Sequence, residues 1–415
     1  MNSEWKRTKE LIPDGVQALS KMPSKYVEGV YPYYIDYGDG CCIYDCDGKE
    51  YIDYPLGLGA ILLGHNMEDI NRAVTDRMRK GLLFPVPHKL ETELAEAITN
   101  FIPSMEMMRF VKTGSESVTA ALRIARAYTE KKTVLFSGFH GWHDQYNATT
   151  PKHDGVPDTL GAYMRKFKHG DLVELEEKMT GKPIAAVLME PYMYDEVGKE
   201  YLHNVRKLCD KHKCLLIFDE VVTGFRTKKY SAQEYFGVKA DITCIGKALG
   251  NGLPIGAVGG SRDIMKVLEK DCFVSSTFGG ELVSITAALA VLKYCEERGV
   301  QNQIWQMGQL LKDGFNNAVH EVALEGVECQ GYPCRTYFKF PNEVLKSLFW
   351  QYCVKRGIFF GHAQFISYCH GYKEIRDTVE VCGQALQFVK QHWEEPQKAL
   401  EGKPATEVFR MVATA

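Results

Sequence analysis

Two short segments carry the residues whose types and spacing could do covalent chemistry. In Leu215 to Arg226 (LLIFDEVVTGFR) an apolar run ends directly on Asp219 and Glu220, and in Asp241 to Gly260 (DITCIGKALGNGLPIGAVGG) another ends on Gly246 and Lys247. Open α/β sheets bind ligands beyond the carboxyl ends of their strands, so the carboxylate and the ammonium are expected at one edge. A lysine amine there can form an imine with an aldehyde, and an aspartate can keep a pyridine nitrogen protonated. Together they meet the requirement of a pyridoxal phosphate enzyme, in which the ring serves as an electron sink. The plainer reading is an ion pair or two separately solvated groups, the ordinary fate of Asp and Lys. The strand ends on which both stand favour the chemical one.

Two further segments can complete such a site. Lys112 to Ser117 (KTGSES) lies between a strand-like run and a helical pattern, so free backbone N–H groups and small hydroxyls converge at a helix N-terminus, which is a seat for phosphate. Gly114 lets the backbone approach closely, and Thr113 and Ser115 are candidate donors. The plainer role for Ser115 is a helix cap. The spacing is not that of a P-loop, and Gly250, Gly252 and Gly256 do not give a dinucleotide fingerprint. In Ser137 to His143 (SGFHGWH), Phe139 can stack on a planar cofactor and His140 can hydrogen-bond near it, although Phe139 also suits a core. His140, His143 and Asp144 lack a further ligand at metal-site spacing, so no metal is expected.

The elements that must hold these residues read as an α/β fold. Short apolar runs at Met108 to Val111, Thr133 to Phe136, Ala185 to Met189, Leu215 to Phe218, Ile242 to Ile245 and Ile255 to Gly259 suit strands buried on both faces of a mostly parallel sheet. Between them, Val118, Ala121, Leu122 and Ala125 mark a helix over Val118 to Tyr128. Long helices are expected at Leu282 to Arg298 and Gln301 to Val322. Strand-like pieces follow near Arg335 to Phe340 and Ile358 to Ser367, then a closing helix from Glu374 to Trp393, which reads as a smaller α+β unit. Near the start, Tyr31 to Tyr37 and Cys41 to Tyr44 are strand-like, and Asp47 and Gly48 suggest a hairpin. The expected division is an N-terminal segment 1–50 packing with the small domain, a large cofactor-binding domain over 51–290, and a small domain over 291–415.

Composition excludes several other classes. The 415 residues are 45% hydrophobic and 25% charged with a formal charge of −3, and no block of like charge invites nucleic acid or an anionic membrane. Thirteen cysteines without paired zinc-type spacing read as reduced thiols of a cytoplasmic protein. No apolar run approaches the roughly 20 residues of a membrane span.

These segments resemble the class III pyridoxal phosphate-dependent aminotransferases, and within them the branch of glutamate-1-semialdehyde aminomutase. The resemblance runs from about Pro13 to about Gln387 and is most specific in FDEVVTGFR and GKALGNGLPIGAVGG. It implies fold type I, a large domain with a mostly parallel sheet and a smaller α+β domain built from both termini, and pyridoxal 5′-phosphate as cofactor. It implies that Lys247 joins the cofactor as an imine, that Asp219 pairs with the pyridine nitrogen, and that Val221 and Phe139 pack on the ring with His140 beside them. Gly114 and Ser115 would hold the phosphate. Thr277, in SSTFGG, would reach the neighbouring subunit's cofactor in a homodimer. Glu190, in the Met189–Glu190–Pro191 strand end, would lie near the substrate.

Departures bear on the substrate. Where the aminomutase carries a carboxylate-binding arginine, the stretch Pro13 to Lys21 offers Ser20 or Lys21, and a lysine cannot make the same bidentate fork. Leu58 stands where the aminomutase has an aromatic residue, and Glu281 where many relatives have Asn. The main expectation is therefore an aminotransferase acting between a small-molecule amino donor and a small carbonyl or sugar-type acceptor. An aminomutase or an amino-acid decarboxylase are alternatives on the same constellation, because the bond held perpendicular to the ring decides the outcome. A non-catalytic binding protein and a nicotinamide dehydrogenase are the rivals from other classes.

Overall fold

The computed structural model describes residues 3–193 and 197–407. The chain opens with a meander, β1 (Ile35–Asp39), β2 (Cys42–Asp45) and β3 (Glu50–Asp53), in which the Asp47–Gly48 turn joins β2 to β3 as expected. Gly48 has φ +81°, a left-handed value that glycine adopts without steric cost. Residues 31–34, expected to extend the first strand, are irregular.

The central sheet follows: β4 (Met107–Val111), β5 (Thr133–Ser137), β6 (Met164–Lys166), β7 (Ile184–Met189), β8 (Leu215–Glu220), β9 (Ile242–Ile245) and β10 (Gly256–Gly260). Their order across the sheet is β4-β10-β9-β8-β7-β5-β6. Neighbours from β6 to β9 pair in parallel, whereas β10 runs antiparallel to both β9 and β4. Every residue of β7, β9 and β10 is buried, which is why these strands read as unbroken apolar or small-residue runs. The three-residue β6 (Met-Arg-Lys) has no such run and is not evident in the sequence.

Helix α1 (Gly114–Thr129) packs on β9 and β10. It starts four residues before the expected Val118 because Thr113 and Glu116 cap it reciprocally. The Thr113 hydroxyl accepts from Glu116 N at 3.2 Å, and the Glu116 carboxylate accepts from Thr113 N at 2.9 Å. Helices α2 (Leu282–Arg298), α3 (Val300–Val322) and α4 (Tyr372–Gln391) match the expected C-terminal helices to within two residues at each end.

Beside α3 lies a second antiparallel sheet, β11 (Glu328–Tyr332), β12 (Arg335–Lys339) and β14 (Gln364–Phe365). The remaining short strand, β13 (Ile358–Phe359), pairs in parallel with β3, so the opening meander gains its fourth strand from the far end of the chain. The stretch Ile358 to Ser367 thus forms two short strands in two sheets rather than one element.

Candidate active site

Parallel pairing fixes which strand ends meet. In the register Ser137↔Met189↔Phe218 and Asp219↔Cys244, Glu220↔Ile245, the residues that leave β5, β7, β8 and β9 emerge at one sheet edge. Those residues are His140, Glu190, Asp219 and Lys247.

Asp219 is buried. Its Oδ1 accepts from Val221 N at 3.1 Å, and its Oδ2 lies 2.8 Å from His140 Nδ1. The other imidazole nitrogen, Nε2, lies 2.9 Å from the Ser137 carbonyl. The imidazole is thus held between two acceptors, the Ser137 carbonyl and the Asp219 carboxylate. The His140 contact fixes the direction of the Asp219 carboxylate.

The next residue, Glu220, points to the opposite face, as strand alternation requires. It is fully buried and accepts from Ala232 N at 2.7 Å, Gln233 Nε2 at 3.2 Å and Thr223 Oγ1 at 3.2 Å. Burial pushes its carboxyl above the usual range despite these donors. Glu220 anchors the following helix, and Asp219 alone of the two carboxylates faces the site.

Lys247 follows Gly246 with φ +45°, a left-handed conformation that is strained for a residue with a side chain. Its side chain lines a cavity of about 650 Å³ together with Phe139, Trp142, Leu58, Phe365 and Ser20. That volume suits a small-molecule site. Beyond Lys247 the chain turns through Asn251, whose side-chain oxygen accepts from Leu62 N and Leu63 N at 2.8 Å each and whose amide donates to the Gly64 carbonyl at 3.0 Å. Arg226, seven positions after Asp219, is completely buried and donates to the carbonyls of Gly59 (2.9 Å), Ile61 (2.6 Å) and Ile366 (2.9 Å) while stacking over Phe365 at 5.0 Å. Burial brings its guanidinium down to about 10, so it stays charged at neutral pH. The strands bearing Asp219 and Lys247 therefore both grip the segment that forms the cavity wall at Leu58. That segment includes a left-handed turn, with Gly57 at φ +60° and Leu58 at φ +61°.

At the N-terminus of α1, Thr113 makes the cap, so the plainer reading of Ser115 as the helix cap does not hold. Ser115 Oγ instead accepts from Trp142 N at 3.3 Å. A Cβ on Gly141 would come within 2.3 Å of that oxygen, and one on Gly114 within 2.7 Å of Val221 Cγ1. Gly114, Ser115, Gly141 and Val221 thus form a close-approach cradle beside the helix N-terminus, with backbone N–H donors and a hydroxyl. The chemistry of this donor set suits a phosphate, the Lys247 amine suits an aldehyde, and Asp219 suits a ring nitrogen. The residues present fit pyridoxal phosphate.

The other expected residues are placed as follows. Glu190 is buried and pairs with Arg335 Nη1 at 3.0 Å, which joins the end of β7 to β12. Ser20 lines the cavity, whereas Lys21 is exposed and outside that lining. Thr277 is exposed in a loop with Phe273 (73% exposed) and Phe278 (58%), and it too lies outside the lining. His143 Nδ1 lies 2.8 Å from Thr119 Oγ1, so His140 and His143 address different partners. Glu281 caps α2 and pairs with Lys112 at 3.0 Å. Sequence reasoning assigned no role to Arg226, Asn251, Phe365, Trp142 or Lys152. Arg226 and Asn251 sit inside the quoted motifs, and an arginine among apolar residues was the available signal. Lys152 lies in a loop with no pattern to mark it, and Phe365 lies in the two-residue β14.

The fold and sequence have known counterparts. Residues 25–363 match the family Aminotransferase class-III. The chain is 39% identical over 341 residues, 78% of each chain, to a glutamate-1-semialdehyde 2,1-aminomutase of Methanothrix thermoacetophila. To the protein of that name from Archaeoglobus fulgidus it is 35% identical over 411 residues, 89% of this chain and 97% of the relative. Among solved structures, the FumI protein of Sphingopyxis sp. MTA144, determined in its PLP internal aldimine form, superposes with a TM-score of 0.88 over 97% of both chains at 24% identity. With a match across most of its length and relatives above one-third identity, the chain belongs to the class III aminotransferases, a pyridoxal phosphate-dependent enzyme family.

Proposed function

We propose that Lys247 is the residue that bonds the cofactor aldehyde and moves the substrate proton, with Asp219 facing the ring nitrogen, in an enzyme that transfers an amino group from a donor to a carbonyl acceptor. The observation that carries this reading is the arrival of Lys247 and the His140–Asp219 pair at one edge of the sheet, with the lysine on the cavity wall. When bound, pyridoxal phosphate supplies an electron-withdrawing ring that stabilises negative charge at the carbon being deprotonated.

The chain's own residues do the rest. Asp219, oriented by His140, would keep a proton on the ring nitrogen, and Val221 and Phe139 would hold the ring. The α1 N-terminus with Gly114 and Ser115 holds the phosphate. With the cofactor in place, the Lys247 amine would take the proton from the substrate carbon and return it elsewhere, a general-base role. Glu190, tied to Arg335, supports the strand end beside the substrate.

The same reading places the enzyme in a reducing cytoplasm, supported by thirteen cysteines that are all free. It also makes it a homodimer, supported by the exposed loop carrying Phe273, Thr277 and Phe278, with Thr277 serving the partner's cofactor phosphate. Residues 1–50 and 291–415 are proposed to act as one small domain against 51–290, supported by the Glu28–Lys403 β-bridge and by the Tyr31 hydroxyl, which donates to the Phe360 carbonyl at 3.0 Å.

A second reading, an amino shift within one molecule, is favoured by the names of the relatives. Turnover that needs no second substrate would select it. For either, Lys247→Ala should lack both the visible absorbance of lysine-linked cofactor and turnover. Retention of either one in that variant contradicts the assignment.

A further inference from the structure

The substrate's charge can be read from the cavity wall. Among the described residues lining it, the side chains charged at neutral pH are Lys247 and Lys152, and neither Asp nor Glu is present. Under the proposed function the Lys247 amine is committed to cofactor and proton transfer, which leaves Lys152 as the charge a substrate meets. His362, also on the wall, adds none, because burial pulls its imidazole down to about 3. Its Nε2 lies 3.2 Å from the Lys25 carbonyl, so Lys25 stands directly behind this wall.

The Lys25 ammonium is held by Thr406 Oγ1 at 2.9 Å and by the Glu407 carbonyl. Its pKa is lowered by burial and then by repulsion from Lys152, while the Glu407 charge opposes the shift. The ammonium groups of Lys152 and Lys25 therefore stand close enough to repel each other, and the acid that acts on Lys25 is Glu407. Gln17, Ser20 and Asn147 supply neutral hydrogen bonding nearby. Lys21, the cation expected from the sequence, is outside the lining.

We propose that Lys152 is the specificity-determining residue for substrate charge, taking a carboxylate or phosphate borne at the end of the substrate remote from its amine. A lysine ammonium is a compact point charge with three donors, so it accepts either anion without the planar geometry an arginine demands. Its exposed position makes the contact salt-sensitive. This inference rests on the aminotransferase reading for which end of the substrate reacts.

The test uses holoenzyme and three amines of similar length: 5-aminopentanoate, 4-aminobutyl phosphate and hexylamine. The expected result is a kcat/KM preference for an anion over hexylamine that falls about tenfold in Lys152→Met, chiefly through KM, and is partly restored in Lys152→Arg. Whichever anion loses more identifies the group recognised. An anion-to-neutral ratio unchanged in Lys152→Met, while the amines still alter the cofactor's absorbance, overturns the inference and leaves the aminotransferase reading standing. If no amine of any charge alters that absorbance, the aminotransferase reading fails instead. Binding of unreactive pentanoate and butyl phosphate, followed by tryptophan fluorescence, then decides the matter. About tenfold weaker binding in Lys152→Met supports Lys152 as the anion contact, and unchanged or undetectable binding to the parent overturns it.

Discussion

The floor of the cavity and its mouth are built by opposite means. The floor is the sheet edge that Lys247 joins to the cavity: Asp219, His140 and Val221 stand there outside the cavity's own lining, each at most 8% exposed, and the direction of Asp219 follows from register. The mouth is assembled from loops far apart in the chain, around residues 17–20, 56–64, 142–152 and 361–365, and includes Trp142 at 71% exposure. The difference separates two tasks. A rigid sheet edge suits a cofactor whose chemistry tolerates little displacement, and surface loops can change substrate without disturbing it. Arg226 and Asn251 join the two, because each extends from a floor segment to the backbone of the 56–64 wall.

The contrast can be broken at the floor first. Asp219→Asn keeps the shape but removes the charge proposed to face the ring nitrogen, and kcat should fall by about 10²–10³-fold. Steady-state kinetics of the reconstituted variant check this, and a loss confined to KM would place Asp219 in the mouth rather than the floor.

The link is the second target. Arg226→Met leaves three buried carbonyls without their donor, and at about 1 kcal/mol or more for each the variant should lose about 3 kcal/mol of stability. Denaturant unfolding measures this. The same variant should lose selectivity among substrates of different bulk, because the Leu58 and Phe365 walls are no longer held.

Acid should act on His362 and His370, both buried and both pulled down from 6.5 to about 3, chiefly by burial. The unfolded chain protonates them near 6.5 and the folded one does not, so their contribution is fully present above 6.5 and is lost as pH falls toward 3. Each contributes a slope of up to about 1.4 kcal/mol per pH unit in that window. Unfolding titrations between pH 7 and 4 should show a shallower slope in His370→Gln than in the parent.

The smallest effect belongs to the mouth. Leu58→Gly trades the strain of a left-handed side-chain residue for chain entropy, so stability should stay within about 1 kcal/mol of the parent. The cavity should widen, and KM for bulky amines should fall.

The floor was legible in the sequence because strands buried on both faces leave continuous apolar runs, and the candidate residues stand at or just after their ends. Position relative to a run was therefore enough to select Asp219, Lys247 and His140. The start of α1 was misjudged because its first turn, Gly-Ser-Glu-Ser, carries no apolar periodicity and is fixed by the Thr113–Glu116 cap. The mouth was not legible for a different reason. Lys152 reaches the cavity from irregular chain and Phe365 from the two-residue β14, and no local spacing records the tertiary placement of either. Lys21 was singled out by analogy of position with an arginine, and the backbone turns it outward while Ser20 turns in.

The central claim is that one lysine carries the cofactor on this floor. Borohydride reduction of the holoenzyme, followed by proteolysis and mass spectrometry, tests it most directly, because reduction fixes the lysine-linked cofactor to whichever amine holds it. The account predicts a pyridoxyl phosphate adduct on the peptide containing Lys247 and none after Lys247→Ala. An adduct on Lys152, Lys112 or any other lysine, with Lys247 unmodified, would contradict it.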